Sequence, residues 1–258
     1  MRDVLVLLPP SESKNPPPRR GAPLDLDSLS FPELTATRAR VLDALVATSA
    51  RPDALVRLMA GASVVDEVER NIRLRSVPTR PALEVYSGVL YDALGYAALS
   101  STARRRAASR VVVVSGLWGA LRPRDRIPAY RLNICAHLIG MSALEPAWRE
   151  VLGPVLADAA GPCGLVVDCR SSRYVAAGMP TGLGDRTVAV RVVGPQGRVV
   201  SHMAKRTRGL VVRHVLESGA DPRTPAGLAE ALADRWQVEL SPPPRSGKPW
   251  TATVVAAL

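Results

Sequence analysis

Four short polar segments hold most of the side chains in this sequence that could do chemistry. "PPSESK" (9–14) offers the hydroxyls of Ser11 and Ser13 and the Lys14 amine. "SGLWGALRPRDRIPAYRL" (115–132) carries Ser115, Trp118, Arg122, Arg124, Asp125, Arg126, Tyr130 and Arg131. Its two prolines stiffen the chain, and arginines in a rigid frame suit two-point binding of phosphate or carboxylate. Asp125 could orient a neighbouring guanidinium, and Trp118 or Tyr130 could stack on a base or ring. "DCRSSRY" (168–174) brings Asp168, Ser171 and Tyr174. That aspartate could act as a base, orient an arginine or cap the next helix. "AKRTRGLVVRH" (204–214) places Lys205, Arg206 and Arg208 in the opening turns of a predicted helix. Cations there oppose the helix dipole, a local cost that a docked anion would offset.

Each segment also has a plain reading: a solvated loop, an arginine-rich surface turn with a structural tryptophan, a helix cap, and a solvated basic face. "PPSESK" lacks the G-x-x-x-x-G-K pattern of a phosphate-binding P-loop. No Ser-His-Asp, Cys-His or paired-carboxylate arrangement stands out, so acid–base work would fall to Lys14, Asp168, Lys205 or a tyrosine. His137, His202, His214 and Cys135, Cys163, Cys169 match no zinc spacing, and neither metal nor cofactor is expected. Three cysteines with no close pair and no secretory signal argue against a disulfide framework. Cys135 and Cys169 fall on predicted strands and read as packing thiols.

The whole chain favours the same partners. Thirty-four Lys and Arg against 23 Asp and Glu leave a net charge of +11 over 258 residues, which suits polyanions or anionic small molecules. Hydrophobic residues make up 47% and aromatic ones only 4%, so the core must be built of Val, Leu and Ala. No apolar run approaches the roughly 18 residues of a membrane span, and a cytoplasmic protein without membrane partners is expected.

Elements must hold these segments in place. "DVLVLL" (3–8), "VVVVSG" (111–116) and "GLVVDC" (164–169) are short apolar runs that read as buried strands. "LEVY" (83–86) and the alternating "RLNICAHL" (131–138) also read as strands. "TVAVRVVGPQGRVVSHMA" (187–204) reads as a hairpin turning at "GPQG", and "WQVEL" and "TATVVAA" as late strands. Helical patterns cover 31–48, 100–110, 142–160, 205–219 and 224–235, with two short stretches within 53–75 and a helix around Val89, Leu90, Ala93 and Leu94. In the first of these, Leu34, Val41, Leu42, Leu45 and Val46 share a face, with Arg38 and Arg40 off it. No linker or repeat divides the chain. The reading is a single compact α+β domain over 1–258, a mixed sheet surrounded by helices, rather than a regular doubly wound sheet.

Taken in order, "LLPPSESK", "YSGVLYDAL", "SGLWGALRPRDRIPAYRL", "DCRSSRY" and "AKRTRGLVVRHVLE" resemble the YaaA family of bacterial peroxide-stress proteins. The third is the most specific, and the likeness runs to about residue 217, with 220–258 matching less clearly. The family's first motif commonly reads "SPAKTL", so Lys14 is displaced relative to that lysine. The resemblance implies a cytoplasmic protein that limits oxidative damage and is associated with lower free iron. It also implies an α+β fold with a positively charged cleft, and binding to DNA, including distorted duplexes. A helix-hairpin-helix-like element is attributed to the family, and 53–75 is the best placed candidate.

Two functions follow as expectations. One is a stress protein that binds DNA through a basic cleft, using phosphate contacts with little sequence preference. The other is an enzyme acting on an anionic small molecule, such as a nucleotide or nucleoside derivative, in the same cleft. Ser11, Ser13, Lys14, Ser115, Trp118, Arg122, Arg124, Asp125, Tyr130, Arg131, Ser171, Tyr174, Lys205 and Arg208 are the candidate contacts.

Overall fold

A computed structural model describes residues 4–198 and 200–256. The apolar runs become the strands of one sheet. They are β1 (Val4–Leu8), β3 (Val111–Ser115), β4 (Gly119–Leu121), β6 (Leu165–Asp168), β7 (Thr187–Val193), β8 (Val238–Ser241) and β9 (Trp250–Val255). A separate two-stranded piece pairs β2 (Arg80–Pro81) with β5 (Arg126–Ile127). The spatial order is β4-β3-β1-β6-β7-β9-β8, parallel through the five inner strands and antiparallel at both edges. β1, β3 and β6 are buried along their whole length, as continuous apolar runs covered on both faces must be.

The helices are α1 (Thr35–Ser49), α2 (Ala54–Arg57), α3 (Val65–Arg70), α4 (Ala82–Val85), α5 (Val89–Leu94), α6 (Ser101–Arg110), α7 (Leu144–Ala160), α8 (Ser172–Ala176), α9 (Ser201–Ser218) and α10 (Pro225–Ala233). They surround the mixed sheet and complete an α+β domain. α6 and α7 pack on β1, and α9 packs on β7 and α5. None of the described helices is long and apolar enough to cross a membrane.

The connections determine where a ligand can sit. From β1 the chain travels to β3 on one side, then crosses back to β6 on the other. Connections leaving in opposite directions open a crevice at the carboxyl ends of β1 and β6, where open sheets bind ligands. "PPSESK" follows β1 and "DCRSSRY" ends β6, so both segments border that crevice.

β4 reverses the chain. Ser115 pairs with Gly119 across the turn, and its Oγ accepts hydrogen bonds from the backbone N–H of Leu117 and Trp118, each at 3.2 Å. Gly119 has φ 68°, and a Cβ there would lie 2.5 Å from the Trp148 ring, so a side chain has no room.

Arg38 departs from the sequence reading. It follows Leu34 by four residues and precedes Val41 by three, which puts it on the apolar face of α1. It is fully buried, and its guanidinium donates to the carbonyls of Trp118 (2.9 Å), Ala120 (2.7 Å), Ser30 (2.7 Å) and Phe31 (3.2 Å). Two of those carbonyls belong to β4 and the turn before it, so the cation seals the open edge of the sheet.

Three predicted strands are corrected. The first three residues of "LEVY" fall in α4, which is held in place by Ala82 N–H donating to the Asp125 carbonyl at 2.8 Å, and Tyr86 after it is extended and makes an isolated bridge to Lys14. "RLNICAHL" keeps its alternating burial but has no partner strand. Asn71 bonds both backbone groups of Arg131, and His137 N–H donates to the Arg57 carbonyl. The "GPQG" turn forms, with Gly194 N–H bonded to the Arg198 carbonyl at 2.8 Å, but the chain then enters α9 at Ser201 instead of returning as a strand. Val199 lies outside the described residues. α9 therefore starts four residues before Lys205, which sits in its second turn, past the pull of the dipole at its first.

Candidate functional site

A cavity of about 890 Å³ occupies the β1/β6 crevice. One wall is the Pro9–Ser13 loop after β1; the start of α5 with Ser87 and Gly88 forms another. Ser171, just before α8, and Arg173 and Tyr174 within it line a third side, α9 supplies Lys205 and Arg208, and the Asn133–His137 stretch closes the remaining side. Six of the predicted contacts, Ser11, Ser13, Ser171, Tyr174, Lys205 and Arg208, therefore line one concave surface. Arg208 is oriented by its Nε, which donates to the Val190 carbonyl at 3.1 Å.

Behind the Ser11–Ser13 wall lies Lys14. Its Nζ donates to the carbonyls of Ser11 (2.8 Å) and Glu12 (3.2 Å) and stands over the rings of Tyr130 and Tyr86. Burial, then repulsion from Arg131, pulls its amine down to about 7, against the opposing pull of Glu67 and Glu12. Arg131 bridges Glu12 at 3.0 Å and Glu67 at 3.5 Å, so its cation is shared with carboxylates. Beneath, a buried hydroxyl chain runs from Tyr86 to Tyr130 (3.0 Å) and on to Ser115 (2.7 Å). Burial holds both phenols well above their usual range, so they are neutral hydrogen-bonding groups at physiological pH. Trp118 packs edge-on against Tyr130 and is fully buried, as a core residue.

Asp168 does not face the cavity. Its two carboxylate oxygens accept from Arg170 Nε (2.9 Å) and a terminal Arg170 nitrogen (2.7 Å), and both residues are buried. The remaining Arg170 N–H groups reach the carbonyls of Tyr174 and Gly178. Of the roles open to Asp168, the geometry is that of orienting an arginine. The pair folds the 169–178 loop so that Ser171 and Tyr174 reach the cavity.

The Arg122–Arg126 stretch lies at the other end of the sheet. β4 runs antiparallel to β3, so its last residue, Leu121, pairs with Val113 at mid-strand and the chain beyond it heads toward the start of β3. Arg122 donates to the carbonyl of Ser109 at 2.7 Å, just before β3, and stacks over Phe31 at 5.2 Å. Asp125 is buried and accepts from Ser30 N–H, the Ser30 hydroxyl and Arg122 N–H. Arg124 and Arg126 are exposed there. Among the described residues, no group of three or more His, Cys, Asp or Glu is placed to hold a metal.

A family model described as "Peroxide stress protein YaaA" matches residues 4–241. The chain belongs to the YaaA family. A UPF0246 protein of Streptomyces coelicolor is 47% identical over 257 residues, covering 98% of each chain. Similar proteins from Corynebacterium efficiens and Corynebacterium glutamicum are 40% and 36% identical, covering 88% and 86% of this chain and 91% and 88% of theirs.

Several cavity residues of this YaaA-family chain gave no chemical signal in the sequence. Ser87 and Tyr91 lie in "YSGVLYDAL", read there as a family mark, yet Ser87 N–H donates to Ser11 Oγ and the Tyr91 hydroxyl to the Pro9 carbonyl. Glu12 sits inside "PPSESK", where its charge was visible but its pairing with Arg131, 119 residues on, was not. Cys135, read as a strand thiol, lies half-buried on the cavity wall with an Arg173 nitrogen 3.1 Å from its sulfur. Cys169 follows β6 instead of sitting in it, and burial pushes its thiol up to about 12.

Proposed function

We propose that the β1/β6 cavity binds an anionic small molecule of the nucleotide or nucleoside class and acts on it, and that the cytoplasmic peroxide-stress role described for the family is exerted through this site. The observation that carries this reading is the convergence of Ser11, Ser13, Ser171, Lys205 and Arg208 on one concave wall at the sheet's crevice. Contact with a phosphate backbone alone does not require polar groups from separate segments to converge on one concave site. Lys14, brought down to about 7 by burial, has the proton affinity a general acid or base needs near neutral pH. Lys205 is the group best placed to hold the anion, and Asp168 serves as a positioning residue.

The test is a thermal-shift screen of nucleotides and nucleoside phosphates, followed by product analysis of any that stabilise the protein. A ligand at 100 times its Kd should add about 2.7 kcal/mol of stability. Failure of every anionic ligand to raise the melting temperature would sink the proposal.

A DNA-binding role has its own support in the net charge of +11 and in the exposed Arg104, Arg105, Arg124 and Arg126. Titration of a labelled duplex at two salt concentrations tests it. Binding that weakens steeply with salt supports it, and no binding at low salt removes it.

A further inference from the structure

Met59 combines three features that packing does not explain. α2 ends with Met59 N–H bonded to the Val56 carbonyl (3.1 Å) and Ala60 N–H to the Leu55 carbonyl (2.9 Å). These two bonds define the helix ending whose left-handed position glycine usually fills. Met59 occupies it with φ 50°, a strained conformation for a residue with a side chain. The residue is also 58% exposed, although methionine is apolar. It lines the cavity that Lys205, Arg208 and Arg173 line from α9 and α8. Phe31 offers the contrast. It too has a positive φ, 66°, but its ring packs on the core and beneath Arg122, which accounts for its placement.

Strain held at a cavity rim points to a ligand contact. A thioether is flexible and polarizable and favours contact with aromatic rings. We infer that Met59 covers a flat, apolar ring of the bound anion, so that the ligand is a phosphate- or carboxylate-bearing ring compound and Met59 a specificity-determining residue. This rests on the anionic-ligand reading above. The anion is held by the cations of α8 and α9, while the ring lies toward the α2 rim. A ringless anion uses the first contact and not the second.

The test uses two ligands that differ only in the base, adenosine 5′-monophosphate and ribose 5-phosphate, titrated calorimetrically into the full chain. The wild-type protein should bind the nucleotide more tightly. Met59→Gly should weaken the nucleotide by about tenfold, the effect of losing a side chain's apolar contact, and leave ribose 5-phosphate unchanged. Relief of the backbone should hold or raise the melting temperature, and Met59→Leu should recover most of the nucleotide affinity. If Met59→Gly leaves nucleotide binding intact, weakens both ligands alike or lowers the melting temperature, the ring contact is wrong while the anion site stands. If neither ligand binds the wild-type chain, the anionic-ligand reading itself fails and takes this inference with it.

Discussion

The Lys14 ammonium lies 4.2 Å from the centroid of the Tyr130 ring, stacked on the phenol that closes the buried hydroxyl chain to Ser115. A residue of the first motif and one of the arginine-rich motif thus form a single unit, although 116 positions separate them in the sequence. The ring supports the cation from below and the carbonyls of Ser11 and Glu12 hold it at the side. Its main opponent is its own burial.

Stability should therefore depend on pH through this residue. In the unfolded chain Lys14 keeps its proton to its ordinary 10.5; in the folded protein it releases it near 7. Between those values the unfolded state binds more protons, so stability rises with pH. The penalty is complete below pH 7 and is relieved above it. Lys14→Met should raise the melting temperature relative to wild type most at pH 6 and least at pH 9. Equal differences at the two values would show that Lys14 titrates normally.

Arg38 should be the most sensitive position of α1. Replacing it with methionine keeps the apolar stem and leaves two buried carbonyls, of Trp118 and Ala120, and two partly buried ones, of Ser30 and Phe31, without their donor. Each unsatisfied group costs about 1–3 kcal/mol, so a loss of about 3 kcal/mol or more is expected in urea denaturation. Arg38→Lys, with fewer donors and no planar fork, should recover only part of it.

The Asp168–Arg170 pair should show strong coupling. Asp168→Ala strands a buried guanidinium and should cost about 3–5 kcal/mol. Asp168→Ala combined with Arg170→Met should cost less than that single change. Additive losses would mean that the two residues act separately.

Ligand and duplex binding should respond to different arginines and lysines. Lys205→Ala should weaken an anionic nucleotide about tenfold, the loss of one charge-assisted contact, and leave duplex affinity within about twofold. Changing Arg104 and Arg105 together should do the reverse and flatten the salt dependence of duplex binding. Calorimetry for the first and fluorescence anisotropy for the second separate the two outcomes.

Cysteine labelling gives a simple check on the core. Cys163 is exposed and should react with a maleimide reagent in the native state. Cys169, buried with its thiol pushed up to about 12, should remain unlabelled until the protein unfolds. Labelling of Cys169 without denaturant would mean that the β6 end opens readily.

The sequence showed some of this architecture more clearly than the rest. Runs such as "VVVVSG" announce buried strands because a parallel strand covered on both faces needs no polar residue. The positions of "PPSESK" and "DCRSSRY" beside such strands were legible for the same reason. "GAL" was not: three residues carry too little pattern to reveal β4, and the reversal it makes decides which end of the sheet receives Arg122. "RLNICAHL" has the right burial period for a strand, but period does not reveal whether backbone partners exist, and here Asn71 and Arg57 take that part. Arg38 was readable by spacing and was misplaced by its charge. The pairings of Glu12 with Arg131 and of Asn71 with the same residue's backbone join distant segments, which no local pattern encodes.

The reversal at β4 has one more consequence. Because it carries the Arg122–Arg126 turn toward the amino end of β3, where Arg122 bonds the Ser109 carbonyl, these cations and the cavity at the carboxyl ends of β1 and β6 lie at opposite ends of the strands. Occupants of the two surfaces do not compete for space. Any influence of one on the other has to pass through the packed strands as a reciprocal coupling, each altering the other's affinity by the same factor.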